Sequence, residues 1–188
     1  MRLHQGFALI QLHPGFTLIE LLVTLTVAGI LFAIGVPAFN SFLQNDRDLG
    51  QINSLVSSFN YARSEAVKRA SQNGIIICPS PDGATCGGTA WSGGWIVTYI
   101  DPSNNANNVV FQATPALSTI NTVTAYGPSP TGITFFSSGL ASAALTIRVC
   151  DPRGPRFARQ VEILSTGRAA TTQTPGFAVD NTTALTCP

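Results

Sequence analysis

A single carboxylate, Glu20, interrupts a long uncharged segment near the start of the chain. It is the only charge between His13 and Asp46. An ionised side chain at membrane depth costs roughly 2.5–3.5 kcal/mol on insertion scales, so such a residue usually has a function and a partner. If the chain is cleaved between Gly15 and Phe16, Phe16 gains a free α-amine that a second copy of the protein could bring to Glu20. The chemistry expected of Glu20 is therefore an ion pair between subunits, which makes it an assembly residue.

Both histidines, His4 and His13, precede this cleavage point, so the processed chain would contain no imidazole. That excludes Ser-His-Asp and Cys-His catalysis and removes the commonest metal ligand. Three aspartates, Asp82, Asp101 and Asp180, lie beside Gly, Pro or Asn. In such turns an Asp side chain more often bonds its own backbone than reacts. The sequence predicts a non-enzymatic protein with no cofactor and no metal.

The chain contains four cysteines, Cys78, Cys86, Cys150 and Cys187. An even number in an exported domain indicates two disulfides, and three pairings are possible. The residues between Cys78 and Cys86 include prolines and a glycine and so form a turn. This favours the pairs Cys78–Cys86 and Cys150–Cys187. Neither spacing is the close pair that zinc sites use.

A group of arginines lies between positions 148 and 168, opposed there only by Asp151 and Glu162. Cationic side chains on loops can neutralise the phosphates of a nucleic acid. The alternative is that these arginines face solvent or pair with the two carboxylates, because surface ion pairs are common and individually weak. The candidates for a phosphate contact are Arg153, Arg156, Arg159 and Arg168.

The first element that positions these residues is the uncharged run from Leu21 to Asn45, 25 residues long. A helix rises about 1.5 Å per residue, so the stretch from Phe16 to Phe39 can cross a hydrocarbon core of roughly 30 Å. We expect a membrane-spanning helix with a bend or local loosening near Ala33, because Pro37 lacks the N–H and crowds the carbonyl four residues back. The alternative is an ordinary secretory signal peptide, but the run is too long and Glu20 opens it.

The helical pattern continues beyond the membrane segment and becomes amphipathic. Apolar residues recur at spacings of three and four, while Arg47, Asp48 and later basic residues occupy the opposite face. Gly74, after Asn73, is a typical helix stop. We therefore predict one helix from about Phe16 to Gln72. Its apolar face consists of Leu49, Ile52, Leu55, Val56, Phe59, Ala62 and Ala66.

Beyond Gly74, short strand-like runs alternate with turn clusters. The connections are too short for crossover helices, so the strands should be antiparallel. The predicted fold class is α+β, a long N-terminal helix packed on an antiparallel β-sheet domain, with Trp91 and Trp95 in the core. The predicted strands are Ile75–Cys78, Trp95–Ile100, Val109–Gln112, Thr119–Thr124, Ile133–Phe136, Leu145–Cys150 and Gln160–Leu164.

The segment Gly15-Phe16-Thr17-Leu18-Ile19-Glu20, followed by an uncharged helix, resembles the class III signal of type IV pilins and of the pseudopilins of type II secretion. The resemblance implies that prepilin peptidase cleaves the Gly15–Phe16 bond and methylates Phe16. It also implies a single-pass protein of the inner membrane with a periplasmic C-terminal domain, which later reaches the cell surface. The implied division is a leader (1–15), a transmembrane and fibre-assembly helix (16–45), and a periplasmic or extracellular head domain (46–188).

Further motifs are similar to those of the GspH/FimT minor-pilin family. They are Cys78-Pro79 followed by Cys86, Trp91 to Trp95, the run Cys150-Asp151-Pro152-Arg153-Gly154, and Gly167-Arg168. The resemblance implies a subunit that joins other pilins at or near the tip of a type IV pilus and helps to start assembly. The alternative is a minor pseudopilin of a type II secretion system.

The FimT members bind DNA through a Gly-Arg-x-Arg motif, so the resemblance implies DNA as a further partner. In this chain the motif is Gly167-Arg168-Ala169-Ala170, and Ala170 replaces the second arginine.

Overall fold

The computed structural model of the chain describes residues 15–70, 73–99, 109–117 and 120–187. The predicted leader, apart from Gly15, lies outside these ranges, as do Asp101 and parts of two predicted strands. Within them the chain forms one long helix followed by short strands. The elements are α1 (Leu18–Arg69), β1 (Ile75–Pro79), β2 (Trp95–Tyr99), β3 (Val109–Thr114), β4 (Thr122–Tyr126), β5 (Ile133–Phe135), β6 (Leu145–Cys150), β7 (Arg159–Ile163) and β8 (Ala169–Thr171).

The helix α1 confirms the predicted long helix, but it ends earlier than expected. Arg69 is its last residue, and Ala70 follows with a positive φ of 48°. The prediction that Gly74 stops the helix is wrong. Gly74 is needed for a different reason, since a Cβ added there would collide with the carbonyl oxygen of Phe135 in the neighbouring strand.

The core-facing side of α1 differs from the predicted face at two neighbouring positions. Asp48, assigned to the polar face, is only 3% exposed, whereas Leu49, assigned to the apolar face, is 38% exposed. Successive residues point about 100° apart around a helix, and Leu49 lies on the side of Asp48 that is turned away from the core. Asp48 faces the core because the head domain supplies it with polar partners, which are described below.

The strands form two four-stranded sheets rather than the single sheet predicted. The first has the order β3-β2-β1-β5 and the second the order β4-β6-β7-β8. Every pairing is antiparallel, as expected. The strand β8 was not predicted because its three residues, Ala169–Thr171, carry no alternating apolar pattern.

One hydrophobic cluster is shared by α1 and both sheets. Phe59 of α1 lies 5.7 Å from the Trp91 ring and 6.5 Å from the Phe135 ring, measured between centroids. Trp91 and Trp95 are fully buried, which confirms the prediction that they belong to the core. The Trp91 indole N–H donates to the carbonyl oxygen of Pro130 at 2.8 Å. The amphipathic half of α1 therefore packs on the sheets, and the α+β class is confirmed.

The chain divides into two units, one ending at Phe42 and the other running from Leu43 to Pro188. The described part of the first unit is the beginning of α1 with the three residues before it. The second unit contains the remainder of α1 and the strands, and we call it the head domain.

Candidate functional site

The first turn of α1 is defined by Thr17 and Glu20. The Thr17 hydroxyl oxygen accepts a hydrogen bond from the Glu20 backbone N–H at 3.2 Å, and the Thr17 carbonyl oxygen accepts one from the Leu21 N–H at 3.1 Å. Thr17 is therefore the N-cap, and Glu20 occupies the third helical position, as in the Thr-x-x-Glu pattern of a capping box. A carboxylate in a first turn is favoured by the helix dipole. The helix thus begins three residues after Gly15, and the Glu20 side chain is exposed.

The described part of the first unit is a strongly apolar segment of helix. The large apolar side chains from Phe16 to Phe42 are exposed, and the most apolar window of α1 has a mean hydropathy of 2.3. Its hydroxyl groups bond to the helix itself, since Thr24 donates to the Leu21 carbonyl oxygen and Thr26 to that of Val23. By length and composition this segment can cross a membrane.

Pro37 lies inside α1, within the exposed apolar segment. Proline removes one backbone donor from the helical ladder. The helix nevertheless continues through Pro37, and the bend or loosening there stays a prediction.

A buried polar network joins α1 to two loops of the head domain. Asn121, just before β4, donates through Nδ2 to Asp48 Oδ1 at 2.7 Å and to Gln51 Oε1 at 2.8 Å. Arg153, in the β6–β7 loop, places Nη2 at 3.2 Å from Asp48 Oδ2. The same guanidinium pairs with Asp151, whose Oδ1 also accepts the Arg153 backbone N–H at 2.9 Å. We call these five residues the junction network.

The Asp48 carboxyl carries the main electrostatic cost of the junction network. Burial raises the pKa of Asp48 above its usual range, the hydrogen bond from Asn121 opposes the rise, and the nearby charge of Asp151 adds to it. Sequence reasoning missed this network because its members are far apart in the chain. The one local signal was the position of Asp48, one residue from the apolar periodicity.

Among the four candidate arginines for a phosphate contact, Arg153 and Arg156 lie over the same Phe157 ring, with Cζ of Arg156 5.8 Å from its centroid, and Arg159 is near enough to Arg153 to feel its charge. Arg153 is committed to the junction network and stacks on Phe157, with Cζ 4.2 Å from the ring centroid. Arg159 is half-buried, and burial lowers the pKa of its guanidinium. Arg156 and Arg168 are exposed, but they lie in turns at opposite ends of β7. The four residues therefore do not form one continuous cationic patch.

The alternative reading of the arginines, pairing with local carboxylates, applies to Arg153 and Asp151. Arg148 instead holds the C-terminal tail. Its Nη1 donates to the Thr186 carbonyl oxygen at 2.6 Å, and its Cζ lies 4.9 Å from the Tyr126 ring centroid.

Two of the three turn aspartates bond their own backbone, as expected. Asp82 accepts from the N–H groups of Thr85 and Ala84 at 2.9 Å each, and these bonds hold its pKa far below the usual range. Asp180 accepts from the N–H groups of Thr182 and Thr183 at 3.0 Å, with the same effect on its pKa. Both carboxylates are therefore structural. Across the described residues, no three His, Cys, Asp or Glu side chains are placed to hold a metal ion.

The disulfides in the structure are Cys78–Cys86 and Cys150–Cys187, the pairing that the sequence favoured. The first closes the turn after β1. The second links the end of β6 to the C-terminal tail, beside a small apolar cluster of Cys150, Ala158 and Leu185.

Comparison with known proteins agrees with this arrangement. A family model described as "Type II transport protein GspH" matches residues 51–167, and one described as "Prokaryotic N-terminal methylation motif" matches residues 13–36. No curated protein sequence matches the chain.

Two crystal structures of the type IV minor pilin FimU from Pseudomonas aeruginosa have a similar fold. One is 19% identical, with a TM-score of 0.54 over 71% of this chain and 98% of that chain. The other is 20% identical, with a TM-score of 0.51 over 68% of this chain and 96% of that chain. At this identity the likeness shows the fold alone, while the GspH family model covers more than half of the chain. Together with the capped, membrane-length first segment of α1, these matches lead to one conclusion: the chain belongs to the GspH family and is a GspH/FimT-like type IV pilin, of the minor pilin or pseudopilin type.

Proposed function

We propose that the chain is a minor pilin of a type IV pilus. It is made as a single-pass precursor in the inner membrane with a periplasmic head domain, and it loses residues 1–15 by cleavage between Gly15 and Phe16. The processed chain then enters the fibre through residues 16–45, at or near the tip, and helps to start assembly. The observation that carries this proposal is the exposed apolar surface from Phe16 to Phe42, which contains one carboxylate.

The exposed apolar surface from Phe16 to Phe42 must be covered by lipid in the precursor and by neighbouring subunits in the fibre. Apolar side chains are stabilised by about 25 cal/mol for each Å² removed from water, so the precursor segment requires lipid. Outside the membrane the same side chains must pack against neighbouring subunits. A membrane-length helix that is uncovered in the single chain therefore suits a protein that moves from a bilayer into a helical bundle.

Glu20 supplies specificity to this packing. In a dry bundle an unpaired carboxylate is strongly unfavourable, so assembly favours the arrangement in which a cation reaches it. The nearest chemical candidate is the methylated α-amine of Phe16 on a neighbouring subunit. Thr17 fixes the first turn, and thereby the position of Glu20 relative to the new N-terminus.

The test replaces Glu20 with Leu and follows processing, membrane insertion and fibre assembly in cells that lack the native copy. We expect normal insertion and cleavage, because the change removes a charge from an apolar segment, and loss of complementation, because the intersubunit ion pair is gone. Mass spectrometry of the processed chain should find N-methylated Phe16 at its start. Gly15→Ala should leave the leader attached.

Thr26→Val is the matched control, since Thr26 is a polar residue of the same segment that bonds its own helix. It should assemble like the native chain. Full complementation by Glu20→Leu, or an intact leader on fibre-associated protein, would contradict the proposal. Restoration of protein secretion rather than pilus function would favour the alternative, a minor pseudopilin of a type II secretion system.

A second candidate function, DNA contact during uptake, is supported by fewer of the four candidate arginines than the sequence suggested. Arg156 and Arg168 are exposed on turns, while Arg159 is half-buried and Arg153 is committed to Asp48 and Asp151. The proposal therefore depends on Arg156 and Arg168, with Arg159 in a minor role.

A further inference from the structure

Two turns of the head domain are copies of each other. Residues 136–140 read Phe-Ser-Ser-Gly-Leu, and residues 164–168 read Leu-Ser-Thr-Gly-Arg. In each turn the N–H of the first residue donates to the carbonyl oxygen of the fifth, and the glycine N–H donates to the carbonyl oxygen of the first. The strand pairing beside each turn is repeated as well, because Phe135 pairs with Ala141 and Ile163 with Ala169. We call residues 136–140 and 164–168 the twin turns.

The twin turns lie side by side, and Arg63 of α1 bonds to both of them. Its Nε donates to the Gly139 carbonyl oxygen at 2.9 Å and its Nη2 to that of Thr166 at 3.4 Å. A Cβ added to Gly167 would collide with the Gly139 carbonyl oxygen, so the second turn touches the first. The two turns are therefore fixed to each other and to α1. A surface that is ordered in advance loses little entropy when it binds a ligand.

The twin turns expose the same kinds of side chain in the same order. In each turn the glycine is buried and the other four residues are exposed. Each begins with a large apolar side chain, Phe136 at 40% exposure and Leu164 at 38%. Two exposed hydroxyl groups follow in each turn. Two adjacent sites of equal chemistry suit a ligand with a repeating unit. The hydroxyl groups are those of Ser137, Ser138, Ser165 and Thr166.

An open groove on α1 adjoins the twin turns. Its volume is about 430 Å³, and Arg63, which bonds to both turns, is part of its lining. A Cβ added to Gly139 would lie 3.4 Å from a methyl group of Val67, another lining residue. The exposed amide of Asn60 and hydroxyl of Ser64 also line the groove. Amide and hydroxyl groups can donate and accept hydrogen bonds, as the hydroxyl groups of a sugar do.

The charges around the groove and the twin turns are mostly positive. The exposed Lys68 and Arg69 share one carboxylate, that of Glu65. Arg168 is exposed on the second turn, and Glu162 lies on β7 just before that turn. The cations therefore exceed the carboxylates, and the charge of this surface favours a ligand with acidic groups.

We propose that the twin turns and the groove bind a glycan strand of the cell wall whose side groups carry carboxylates. The exposed Phe136 and Leu164 side chains lie against the apolar C–H faces of successive sugar rings. The hydroxyl and amide groups bond to the polar substituents of the sugars. Lys68 and Arg168 then meet the carboxylates of the side groups.

The polar groups of the site favour a glycan over a nucleic acid. Nucleic-acid binding draws most of its affinity from cations that neutralise successive phosphates. At this site the exposed hydroxyl and amide groups of Asn60, Ser64 and the twin turns outnumber the cations. Such neutral groups match a ligand that is rich in hydroxyl groups and carries acidic groups only at intervals.

The choice of the cell wall as the source of this glycan rests on the proposed function. A periplasmic head domain that reaches the cell surface in a fibre must pass the wall, and it meets the glycan strands there. The site adds a contact with the wall to the contacts between subunits. It lies wholly within the head domain, so its binding can be measured without fibre assembly.

The test sediments the full-length chain, kept in detergent, with purified insoluble cell-wall sacculi. We expect the chain in the pellet, and digestion of the glycan strands with a muramidase should return it to the supernatant. Chitin is the matched polymer, because it is an insoluble glycan of N-acetylated sugars without carboxylates. Chitin should retain clearly less of the chain than sacculi do.

Single substitutions separate the two kinds of contact. Phe136→Ser removes an apolar ring contact and Lys68→Gln removes a cation, and each should weaken binding to sacculi by roughly two- to fivefold. The matched controls are Phe177→Ser, since Phe177 is 38% exposed on the C-terminal tail, and Arg47→Gln, since Arg47 is exposed near the beginning of the head domain. Neither control should change the amount of chain that sediments.

Three outcomes would overturn the proposal. They are a chain that stays in the supernatant with intact sacculi, equal retention by chitin, and binding that Lys68→Gln weakens but Phe136→Ser does not. The last would identify a general polyanion site, such as one for DNA. None of these outcomes bears on fibre assembly, whereas absence of the chain from fibres would overturn the proposed function and leave binding to isolated sacculi in place.

Discussion

The contacts of the buried Asp48 carboxylate position α1 against two loops of the head domain rather than raise the free energy of unfolding. It receives a hydrogen bond from Asn121 and lies 3.2 Å from the Arg153 guanidinium, which also pairs with Asp151. Two carboxylates thus share one guanidinium in a largely buried place. Replacing a buried ionic group often leaves stability unchanged or raises it, whereas removing one partner of a needed pair is costly.

We predict that Asp151→Asn lowers the free energy of unfolding and that Asp48→Asn does not. Asp48→Asn keeps the amide oxygen as an acceptor for Asn121 and removes a charge, so stability at neutral pH should be equal or higher. Asp151→Asn removes the main partner of Arg153 and should cost roughly 3–5 kcal/mol. Thermal and denaturant unfolding of the full chain in detergent measures both changes. Equal losses for the two variants would contradict this assignment.

The pH dependence follows from the raised pKa of Asp48. The folded state holds this proton more tightly than the unfolded state, so the contribution is most favourable below the usual aspartate value of about 3.9. It declines as the pH rises through the raised value and is constant above it. Asp48→Asn should remove this part of the slope.

At the scale of elements, the C-terminal tail is held to β6 by contacts of three kinds. Cys187 is bonded to Cys150, Leu185 is buried in the small cluster beside it, and Arg148 of β6 donates to the Thr186 carbonyl oxygen. The Cys78–Cys86 turn has a separate support in Asp82, which accepts from two backbone N–H groups within the loop. When its disulfide is removed, the tail therefore keeps the contacts of Leu185 and Arg148, whereas the Cys78–Cys86 turn keeps the hydrogen bonds to Asp82.

We predict that removing the Cys150–Cys187 disulfide, which closes the longer loop, lowers the free energy of unfolding more than removing the Cys78–Cys86 disulfide. On the chain-entropy model, loss of the Cys150–Cys187 bond should cost about 4 kcal/mol and loss of the Cys78–Cys86 bond about 2.6 kcal/mol. Paired Cys→Ala variants of the full chain, compared by unfolding and limited proteolysis, measure this. Only the Cys150/Cys187 variant should gain cleavage sites in the tail. Non-reducing peptide mapping that recovered a Cys78–Cys150 peptide would contradict the pairing itself.

The whole molecule has almost no net charge, +1 at neutral pH, and only 10% of its residues are charged. No long-range field therefore draws it to nucleic acid, and any DNA contact must be local. The two exposed arginines among the DNA-binding candidates, Arg156 and Arg168, are separated by the length of β7, five residues of about 3.3 Å each. A duplex would have to span both turns to meet them together.

We predict that DNA binding, if present in the full chain, is weak and sensitive to salt. With at most three arginines on phosphate, the log–log slope should be no steeper than about −2.7 on duplex DNA. Arg156→Gln combined with Arg168→Gln should abolish most binding, while the exposed Arg47→Gln is the control. Titration with short duplex DNA at several salt concentrations is the measurement, and equal losses for control and double variant would oppose the candidate function.

The missing second arginine of the motif can also be examined. Ala170 pairs with Glu162 across β7 and β8, so an arginine introduced by Ala170→Arg would lie beside a carboxylate. Ala170→Arg should therefore strengthen DNA binding clearly only together with Glu162→Gln.

Local physical chemistry alone determined the long helix, the antiparallel strands, the buried tryptophans and the membrane-length apolar segment. These features follow from residue periodicity, segment length and turn composition within a short window of chain. The disulfide pairing was favoured for the same reason, since Cys78 and Cys86 flank a short turn.

Only the tertiary structure decided the division into two sheets, the burial of Asp48, the exposure of Leu49 and the separation of Arg168 from Arg156. Each of these features depends on partners far away in the sequence. Asp48, for example, is buried because Asn121 donates a hydrogen bond to it and Arg153 forms an ion pair with it. The turns that contain Gly139 and Thr166 are likewise remote in the sequence, and Arg63 of α1 donates to the carbonyl oxygens of both. The residue pattern within a short stretch of chain determines which helices and strands form, whereas the pairing of polar groups that are distant in the sequence decides which side of each element is buried.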